Sequence, residues 1–229
     1  MVVSPVLSRR SVLAGLAGFA AAVGGGAAGC ASSPQAGVAG NGTAPSAAEQ
    51  PGSAARPRVL LAYFSRAGEN YYNGGRRRLQ VGNTEVLAGT IRRLIGCDVH
   101  RIDAADPYSE NYDATVARNV QEQQADARPG IANPLPPLDR YDTVLLAGPI
   151  WNVRPPMIMT TFTESLDFTG KAVHPVVTYA VSGLGTTARD YAASCRGATI
   201  REGLAVRGEE VTNAEADVAV WLRRNRLLA

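Results

Sequence analysis

Short apolar segments alternate with amphipathic ones along residues 58–229, and the apolar segments predict the strands of a sheet. Residues 144–148 are wholly apolar, which is typical of a strand that is buried on both faces. Residues 98–103 are shorter and more polar, which favours an edge position. In chain order, the predicted strands are residues 59–64, 98–103, 144–148, 173–181 and 199–206.

Between these strands, apolar residues recur every three or four positions, which predicts helices. The predicted helices are residues 84–95, 112–125, 155–166 and 186–195, followed by a last helix whose inward face carries Val218, Trp221 and Leu222. Strands that alternate with helices predict an α/β fold with a doubly wound, five-stranded parallel sheet in the order 2-1-3-4-5. In such a sheet, the ligand lies beyond the carboxyl ends of the strands, beside the first strand.

The first 29 residues have the features of a signal peptide. Residues 8–13 form a twin-arginine pattern, and the Gly/Ala-rich apolar stretch that follows is too short to span a membrane permanently. Ala27, Ala28 and Gly29 precede Cys30 and resemble a lipobox, in which cleavage leaves a lipid-bearing cysteine, although the pattern prefers Leu at the position of Ala27. A plain cleaved signal peptide with an incidental cysteine is the alternative.

Residues 30–57 consist mainly of Ala, Gly, Ser and Pro and carry almost no charge, which predicts a flexible tether. A flexible segment of this length has an end-to-end distance of roughly 30 Å. The sequence therefore predicts a folded domain over residues 58–229 that is exported and held by an N-terminal lipid on the outer face of the bacterial cytoplasmic membrane.

Charge and cysteine content argue against several other classes. The formal net charge is +3, and it is close to neutral without Arg9 and Arg10, so nothing favours nucleic acid as a partner. Cys97 and Cys195 are expected to be unbridged and buried. The carboxylates are scattered, both histidines lie in predicted strands, and no spacing suggests a metal site.

The loop after the first strand combines residues that suit a phosphate. Ser65 follows the strand, and Gly82, Asn83 and Thr84 come at the head of the next helix. A helix N-terminus offers unpaired N–H groups and a positive dipole end, to which Ser65 and Thr84 would add hydroxyl groups. The alternative is that Asn83 and Thr84 merely cap an ordinary helix.

The loops after the third and fourth strands should converge on the same point. Trp151 lies between Pro149 and a helix start, where it could form a wall for a flat ring or simply pack in the core. After the fourth strand, Ser182 and Gly183 can present N–H groups and permit a close approach to a ligand.

An insertion over residues 69–81 carries Asn73 and Gly74, a strong hairpin-turn signal, and predicts a short flap beside the phosphate. Arg76, Arg77 and Arg78 would either steer an anionic partner or a nicotinamide phosphate, or form a solvated face. Tyr71 and Tyr72 would either cover a ligand or pack the flap onto the domain.

Four motifs together resemble the flavodoxin-like family, in the branch with an extended phosphate loop. They are YFSR at residues 63–66, GENYY at 68–72, GNTE at 82–85 and GPIW at 148–151, with Pro107, Tyr108 and Tyr112 also similar. The resemblance covers essentially the whole domain from Arg58 onwards. Asn152 stands where relatives often carry a second Trp, and residues 179–181 replace a more Gly-rich loop.

The resemblance implies FMN as the cofactor and a set of binding residues on three loops. Ser65, Arg66, Gly82, Asn83 and Thr84 would hold its phosphate. Pro149, Ile150, Trp151 and Asn152 would line the isoalloxazine ring, with Tyr179, Ser182 and Gly183 on its other side. The flavin would carry the redox chemistry, so no catalytic side chain is implied.

Three functions remain open at this point. An electron carrier would exchange electrons with a redox partner protein outside the membrane, and an enzyme would pass them from NAD(P)H to a quinone or other small acceptor. A non-redox lipoprotein would only bind a phosphorylated ligand. The near-neutral charge weakens the first, since carriers of this family commonly dock through an acidic face, and the lack of a visible nicotinamide site weakens the second.

Overall fold

The structure of the protein is a computed structural model that describes residues 58–229. The predicted signal peptide, Cys30 and the tether lie outside the described residues and stay predictions. The strands are β1 Val59–Tyr63, β2 Gly68–Tyr72, β3 Gly75–Leu79, β4 Asp98–Arg101, β5 Thr143–Pro149, β6 Ala172–Tyr179, β7 Thr199–Ile200 and β8 Leu204–Arg207. The helices are α1 Asn83–Ile95, α2 Tyr112–Gln124, α3 Met157–Glu164, α4 Thr187–Ser194 and α5 Glu215–Arg224.

Six of the strands form one parallel sheet with the order β4-β1-β5-β6, and β7 and β8 both pair with the outer side of β6. This order is the one predicted from the alternating pattern, with β4 at the edge as its polar sequence indicated. The remaining strands, β2 and β3, form a separate antiparallel hairpin within the loop that joins β1 to α1.

The predicted fifth strand over residues 199–206 is wrong as a continuous element, because it is broken at residues 201–203 into β7 and β8. Pro175 of β6 faces the break, and it has no N–H to donate to a neighbouring strand. Val173 pairs with Ile200 and Val176 with Leu204, so the fifth strand contains one extra residue there, as in a β-bulge. The His174 ring pairs through Nδ1 with the carbonyl oxygen of Glu202 at 2.9 Å, which holds the bulge in place.

Apolar side chains fill both faces of the sheet. On one face, α1 and α5 contribute Leu87, Ile91, Val218 and Trp221, all buried against β1, β5 and β6. On the other face, α3 and α4 contribute side chains such as Phe162. The doubly wound arrangement is therefore driven by burial on both sides, and it places the loops that follow β1, β5 and β6 at one edge.

The two cysteines of the domain are free thiols, as the sequence predicts. The prediction of burial is confirmed for Cys195, which lies in the core on the α4 side, and is wrong for Cys97, which is only partly buried and packs against the core on the α1 side. The sheet separates them. Burial raises the pKa of Cys97 to about 11 and that of Cys195 to about 12. Within residues 58–229, no helix combines the length and the hydropathy needed to cross a bilayer, and no three His, Cys, Asp or Glu side chains come together as a metal site.

Candidate functional site

A cavity of about 370 Å³ opens at the carboxyl edge of the sheet, where β1, β5 and β6 end. Its walls are the hairpin, the start of α1, one face of α2 and the loops after β5 and β6. The residues that line it are Ser65, Arg66, Asn70, Tyr71, Asn83, Thr84, Tyr112, Thr115, Val116, Asn119, Val120, Pro149, Ile150, Trp151, Asn152, Thr178, Tyr179, Ala180 and Gly208. Its size is within the range of small-molecule and cofactor sites.

The start of α1 presents unpaired donors to one end of this cavity. The Gly82 carbonyl accepts the N–H groups of Glu85 and Val86, at 3.0 and 3.2 Å. Among the described residues, the N–H groups of Asn83 and Thr84 form no hydrogen bond. Two free donors at the positive end of a helix dipole form an anion site, and a phosphate monoester fits it.

Ser65 both caps α1 and lines the cavity. Its Oγ accepts the N–H of Glu85 at 3.1 Å and so caps α1 from 20 positions upstream. The accepting oxygen keeps its own hydrogen, which can be donated to a bound anion. Asn83 and Thr84 do not form an ordinary cap of this helix, as the alternative would require. The N-cap residue is Gly82, which has no side chain to accept a hydrogen bond from the first turn.

Two glycines, Gly82 and Gly208, allow the close packing at this end of the cavity. A Cβ at Gly82 would collide with Ser65 Oγ and lie 2.5 Å from the Arg66 carbonyl oxygen. A Cβ at Gly208 would collide with the side-chain amide of Asn83. Gly82 does not itself line the cavity, but its lack of a side chain lets α1 begin directly against the loop after β1.

Thr84 is almost fully buried, with 2% of its surface exposed. Its Oγ1 lies 2.7 Å from Thr178 Oγ1 on β6, and both threonines line the cavity. This hydrogen bond joins the first turn of α1 to the end of β6, so it fixes the anion site relative to the sheet.

Arg66 lines the cavity, yet backbone carbonyl groups hold most of its guanidinium. Nη1 donates to the carbonyl oxygens of Ser109 at 2.8 Å and Glu110 at 3.2 Å, and Nη2 donates to that of Glu69. Its Nε is buried and has no partner in the described part of the chain, so this N–H is a donor still without an acceptor. Burial lowers the pKa of the Arg66 guanidinium.

The predicted hairpin is confirmed and is tied down at both ends. At its base, the Glu69 N–H donates to the Glu110 carbonyl at 2.8 Å, and Glu69 Oε2 accepts the N–H of Tyr112 at 3.1 Å. At its tip, the Asn73 N–H donates to Glu209 Oε1 at 2.9 Å. The hairpin therefore forms a strap beside the anion site, fixed to both α2 and the segment after β8.

The arginine run on the hairpin has its charge engaged locally. Arg76 pairs with Asp113 at 2.6 Å and lies over the Tyr112 ring, and Arg78 pairs with Glu110. Arg77 lies over Tyr72, 4.9 Å from the ring centroid. The two hairpin tyrosines thus differ, since Tyr71 lines the cavity and Tyr72 stacks with Arg77.

Trp151 forms part of the opposite wall of the cavity and is half-buried. Its ring packs edge-on against Phe64 and Tyr108, with centroids 5.8 and 5.1 Å away. It therefore rests on the core and also faces the cavity, so the two alternatives from the sequence both describe it. Pro149 and Ile150 line the cavity beside it, and the Ile150 N–H donates to the Thr178 carbonyl at 2.8 Å.

The Trp151 loop is held in an unusual backbone conformation. Asn152 and Val153 have φ angles of 51° and 63°, in the left-handed region that a β-branched residue rarely occupies. Gln123 of α2 binds this loop from the side, because its Nε2 donates to the Trp151 carbonyl at 3.1 Å and its Oε1 accepts Asn152 Nδ2 at 3.0 Å.

The loop after β6 contributes Tyr179 and Ala180 to the cavity lining, whereas Ser182 and Gly183 are not among the lining residues. The Ser182 carbonyl accepts the Gly185 N–H at 3.0 Å within a turn. A Cβ at Gly185 would collide with the Val153 carbonyl, which also accepts the Thr186 N–H at 2.8 Å. In this arrangement, the turn that contains Ser182 and Gly183 supports the Trp151 loop from outside the cavity. Direct cofactor contact by these two residues stays a prediction.

One face of α2 forms a long wall of the cavity, and apart from the resemblance at Tyr112 it was not predicted from the sequence. Its residues are Tyr112, Thr115, Val116, Asn119 and Val120. They recur at spacings of three and four, so the helical period carried a signal. It was hidden because the buried members, Thr115 and Asn119, are polar.

Comparison with known proteins identifies the fold family. The sequence model of the flavodoxin family matches residues 78–225. The chain belongs to the flavodoxin family. The match spans this flavodoxin from the end of the hairpin to the end of α5, and no curated protein is similar enough to count as a match.

Three solved structures resemble this flavodoxin over 70–74% of its chain. A candidate flavoprotein from Bacteroides eggerthii DSM 20697 is 25% identical, with a TM-score of 0.60, over 74% of this chain and 98% of that one. A second from Bacteroides uniformis ATCC 8492 is 24% identical, with a TM-score of 0.58, over 73% and 99%. A flavoprotein from Lactobacillus acidophilus NCFM, solved in complex with FMN, is 14% identical, with a TM-score of 0.50, over 70% and 99%.

Proposed function

We propose that this flavodoxin binds FMN in the cavity at the carboxyl edge of the sheet and transfers electrons outside the cytoplasmic membrane. One observation carries the proposal. A single cavity joins the free N–H groups of Asn83 and Thr84 at one end to the Trp151 ring at the other. FMN has a phosphate and a flat aromatic ring system at its two ends.

The residues of the cavity fit these two parts of FMN. The N–H groups of Asn83 and Thr84, the Ser65 hydroxyl and Arg66 Nε would bind the phosphate, because they are donors without a complete set of acceptors. Trp151, Pro149, Ile150 and Asn152 would contact the ring system on one side, and Tyr179 would contact it on the other. When bound, FMN supplies the one- and two-electron chemistry, and the protein binds it, orients it and excludes water.

One solved relative supports this assignment. The relative from Lactobacillus acidophilus was solved in complex with FMN, and it shares the fold over 70% of this chain. Its low identity means that residue roles cannot be carried over, so the binding residues proposed here rest on the cavity itself.

A second function, the reduction of a small acceptor by NAD(P)H, is favoured by two valines of the α2 wall. Val116 and Val120 line the cavity and expose 43% and 37% of their surface. Apolar surface at the mouth of a redox site suits a small apolar acceptor, such as a quinone, better than it suits a charged docking partner.

Absorption spectra of the purified protein test the shared premise. We expect flavin bands in the isolated protein, or their appearance with one equivalent of FMN after the apoprotein has been prepared. A protein that neither contains FMN nor binds it when added is incompatible with both redox functions and leaves the non-redox lipoprotein.

Anaerobic mixing with NADH or NADPH separates the carrier from the enzyme. We expect a carrier to be reduced only when a reductase is also present, and we expect an enzyme to be reduced directly and then reoxidised by an added quinone. A carrier is the better description if the flavin stays oxidised over many minutes with NAD(P)H alone.

The location outside the membrane is proposed from the sequence alone. The twin-arginine route exports folded proteins, so FMN would be inserted before export. The variant with Arg9 and Arg10 both changed to Lys should accumulate flavin-loaded precursor in the cytoplasm, and normal export of this variant would argue against the route. Labelling with a radioactive fatty acid, compared between Cys30 and Cys30→Ser chains, tests the lipid.

A further inference from the structure

A second, larger hollow lies at the opposite end of the sheet from the candidate cofactor cavity. It is a groove of about 770 Å³ between the end of α1, the start of β4 and the end of α5. Val59 and Asp98, the first residues of β1 and β4, line it, so it lies at the amino ends of the strands. The cofactor cavity, by contrast, lies at their carboxyl ends.

The floor of the groove is apolar and its rim is basic. Leu94, Ile95, Leu227 and Leu228 are half-buried and belong to the outer layer of the core on the α1 and α5 side. The rim carries Arg58, Arg140, Arg223 and Arg226, and the lining also includes the Asp98 carboxylate and Ala229, the last residue of the described chain. A positive rim above an apolar floor fits a surface that is itself both anionic and apolar.

Most of this positive charge is not neutralised within the domain. Arg58 pairs with Asp142 at 3.4 Å. Within residues 58–229, no carboxylate lies within ion-pair distance of Arg140, Arg223 or Arg226. Asp98 instead accepts the Tyr141 hydroxyl at 2.8 Å.

Arg226 occupies a position that would favour a glycine. It follows the Asn225 cap of α5 with a φ of 60°, and the Leu227 N–H bonds back to the Leu222 carbonyl at 2.9 Å. Helices that end in this way usually place Gly at the left-handed residue, because other side chains are disfavoured there. The backbone conformation therefore does not require an arginine at this position, and its side chain lies on the rim of the groove.

We propose that this groove is a docking surface for anionic phospholipid headgroups of a membrane. The chain enters the domain at Arg58, on the rim of the groove, and the predicted tether with its lipid-bearing Cys30 precedes Arg58. Arginines near an anionic bilayer are attracted to it, and the apolar floor can meet the acyl boundary. The inference rests on the proposed membrane attachment and goes beyond the redox function.

The proposal gives the domain an orientation. Because the groove and the cofactor cavity lie at opposite ends of the sheet, docking through the groove turns the cavity away from the bilayer. The bound flavin would then face soluble partners or acceptors. The tether would be long enough for the domain to bind the lipid surface directly.

Vesicle sedimentation tests the groove without the lipid anchor. The chain from residue 30 onwards, without the predicted signal peptide and with Cys30→Ser, is mixed with vesicles of phosphatidylcholine, with or without 30% phosphatidylglycerol. We expect binding that requires phosphatidylglycerol and weakens as salt is raised. The Arg223→Glu, Arg226→Glu pair should weaken binding by at least about tenfold, since each arginine near the surface contributes roughly fivefold.

Two further variants separate the groove from general charge and from stability. The pair Arg77→Glu, Arg189→Glu makes the same charge change outside the groove and should leave binding unchanged within twofold. Arg226→Gly should weaken binding about fivefold while it leaves the unfolding midpoint unchanged or raises it. Weaker binding together with an unchanged or higher unfolding midpoint cannot be explained by loss of the folded structure.

Several outcomes would overturn the proposal. Equal binding by all variants, or an equal loss in the control pair, would show that the groove is not the contact surface. Failure of both vesicle types to bind, together with arginine-dependent binding of polyglutamate, would assign the surface to an acidic protein instead. Because the anchor is removed in every chain, failure of Cys30 lipidation would be seen only in the separate labelling experiment.

Discussion

A substitution at Gly82 tests the anion site, because the lack of room for a Cβ, and not the backbone conformation, requires glycine there. Its φ and ψ of −69° and 149° are accessible to any residue, so alanine would introduce no torsional strain. The added Cβ would, however, collide with Ser65 Oγ and lie 2.5 Å from the Arg66 carbonyl oxygen and 2.8 Å from its carbon. Two of these three atoms belong to the backbone, so the loop after β1 or the start of α1 must move.

The expected cost of Gly82→Ala follows from this crowding. Overpacking of a close contact typically costs about 1–3 kcal/mol, and here the displaced groups are those that would hold the phosphate. We expect the free energy of unfolding to fall within that range. We also expect the Kd for FMN to rise by at least about tenfold, as measured by flavin fluorescence quenching.

Gly89 provides a matched control on the same helix. It lies in the middle of α1, and an added Cβ would meet no atom within 4 Å. Gly89→Ala should raise the free energy of unfolding by about 0.5–1 kcal/mol and leave the Kd for FMN unchanged. The reasoning would be refuted if Gly82→Ala bound FMN as tightly as the unaltered protein, or if Gly89→Ala weakened binding equally.

Three other substitutions probe separate contacts. Thr84→Ala should weaken FMN binding and cost about 1–3 kcal/mol of unfolding free energy, because it leaves the buried Thr178 hydroxyl without its partner; unchanged affinity in the same titration would contradict the phosphate assignment. Glu209→Ala should speed hydrogen exchange of the Asn73 amide by about tenfold while Glu209→Gln preserves its protection, since the glutamine oxygen can still accept that N–H. Burial lowers the pKa of His174 in the folded protein, so the unfolded chain binds a proton at this residue at a higher pH than the folded protein does. The free energy of unfolding should therefore fall as the pH drops below about 6.5. In urea unfolding, His174→Asn should show a shallower pH dependence than the unaltered protein, and an identical slope would show that His174 does not cause the loss of stability.

The architecture could be predicted from the sequence because its causes are local. Residues 144–148 are apolar throughout because β5 is buried on both faces, and the polar β4 lies at an edge. The hairpin followed from Asn73 and Gly74, which take the positive φ angles that its turn requires.

The break in the fifth strand has a long-range cause, and its local signal is limited to Gly203 after two charged residues. It depends on Pro175 and His174, which belong to a different strand and meet residues 201–203 only after the sheet has formed. Residues 199–206 by themselves do not indicate that Pro175, which has no N–H group, lies beside them in the sheet.

The candidate site was predictable where residues adjacent in sequence act together, as at Asn83 and Thr84 or Pro149 and Trp151. Its long-range contacts were not. Arg66 was assigned to the phosphate, yet most of its donors hold the carbonyls of Glu69, Ser109 and Glu110, up to 44 positions away. The α2 wall was missed because its buried members are polar.

The central claim is that FMN occupies the cavity with its phosphate at the start of α1, and a comparison of FMN with riboflavin in amide NMR spectra tests it most directly. Riboflavin has the same ring system but lacks the phosphate. We expect FMN to shift the amide signals of Asn83 and Thr84 and the indole signal of Trp151, and riboflavin to shift the indole signal while leaving those two amides nearly unchanged. Equal shifts of Asn83 and Thr84 with both ligands, or no shift of Trp151 with either, would contradict the account.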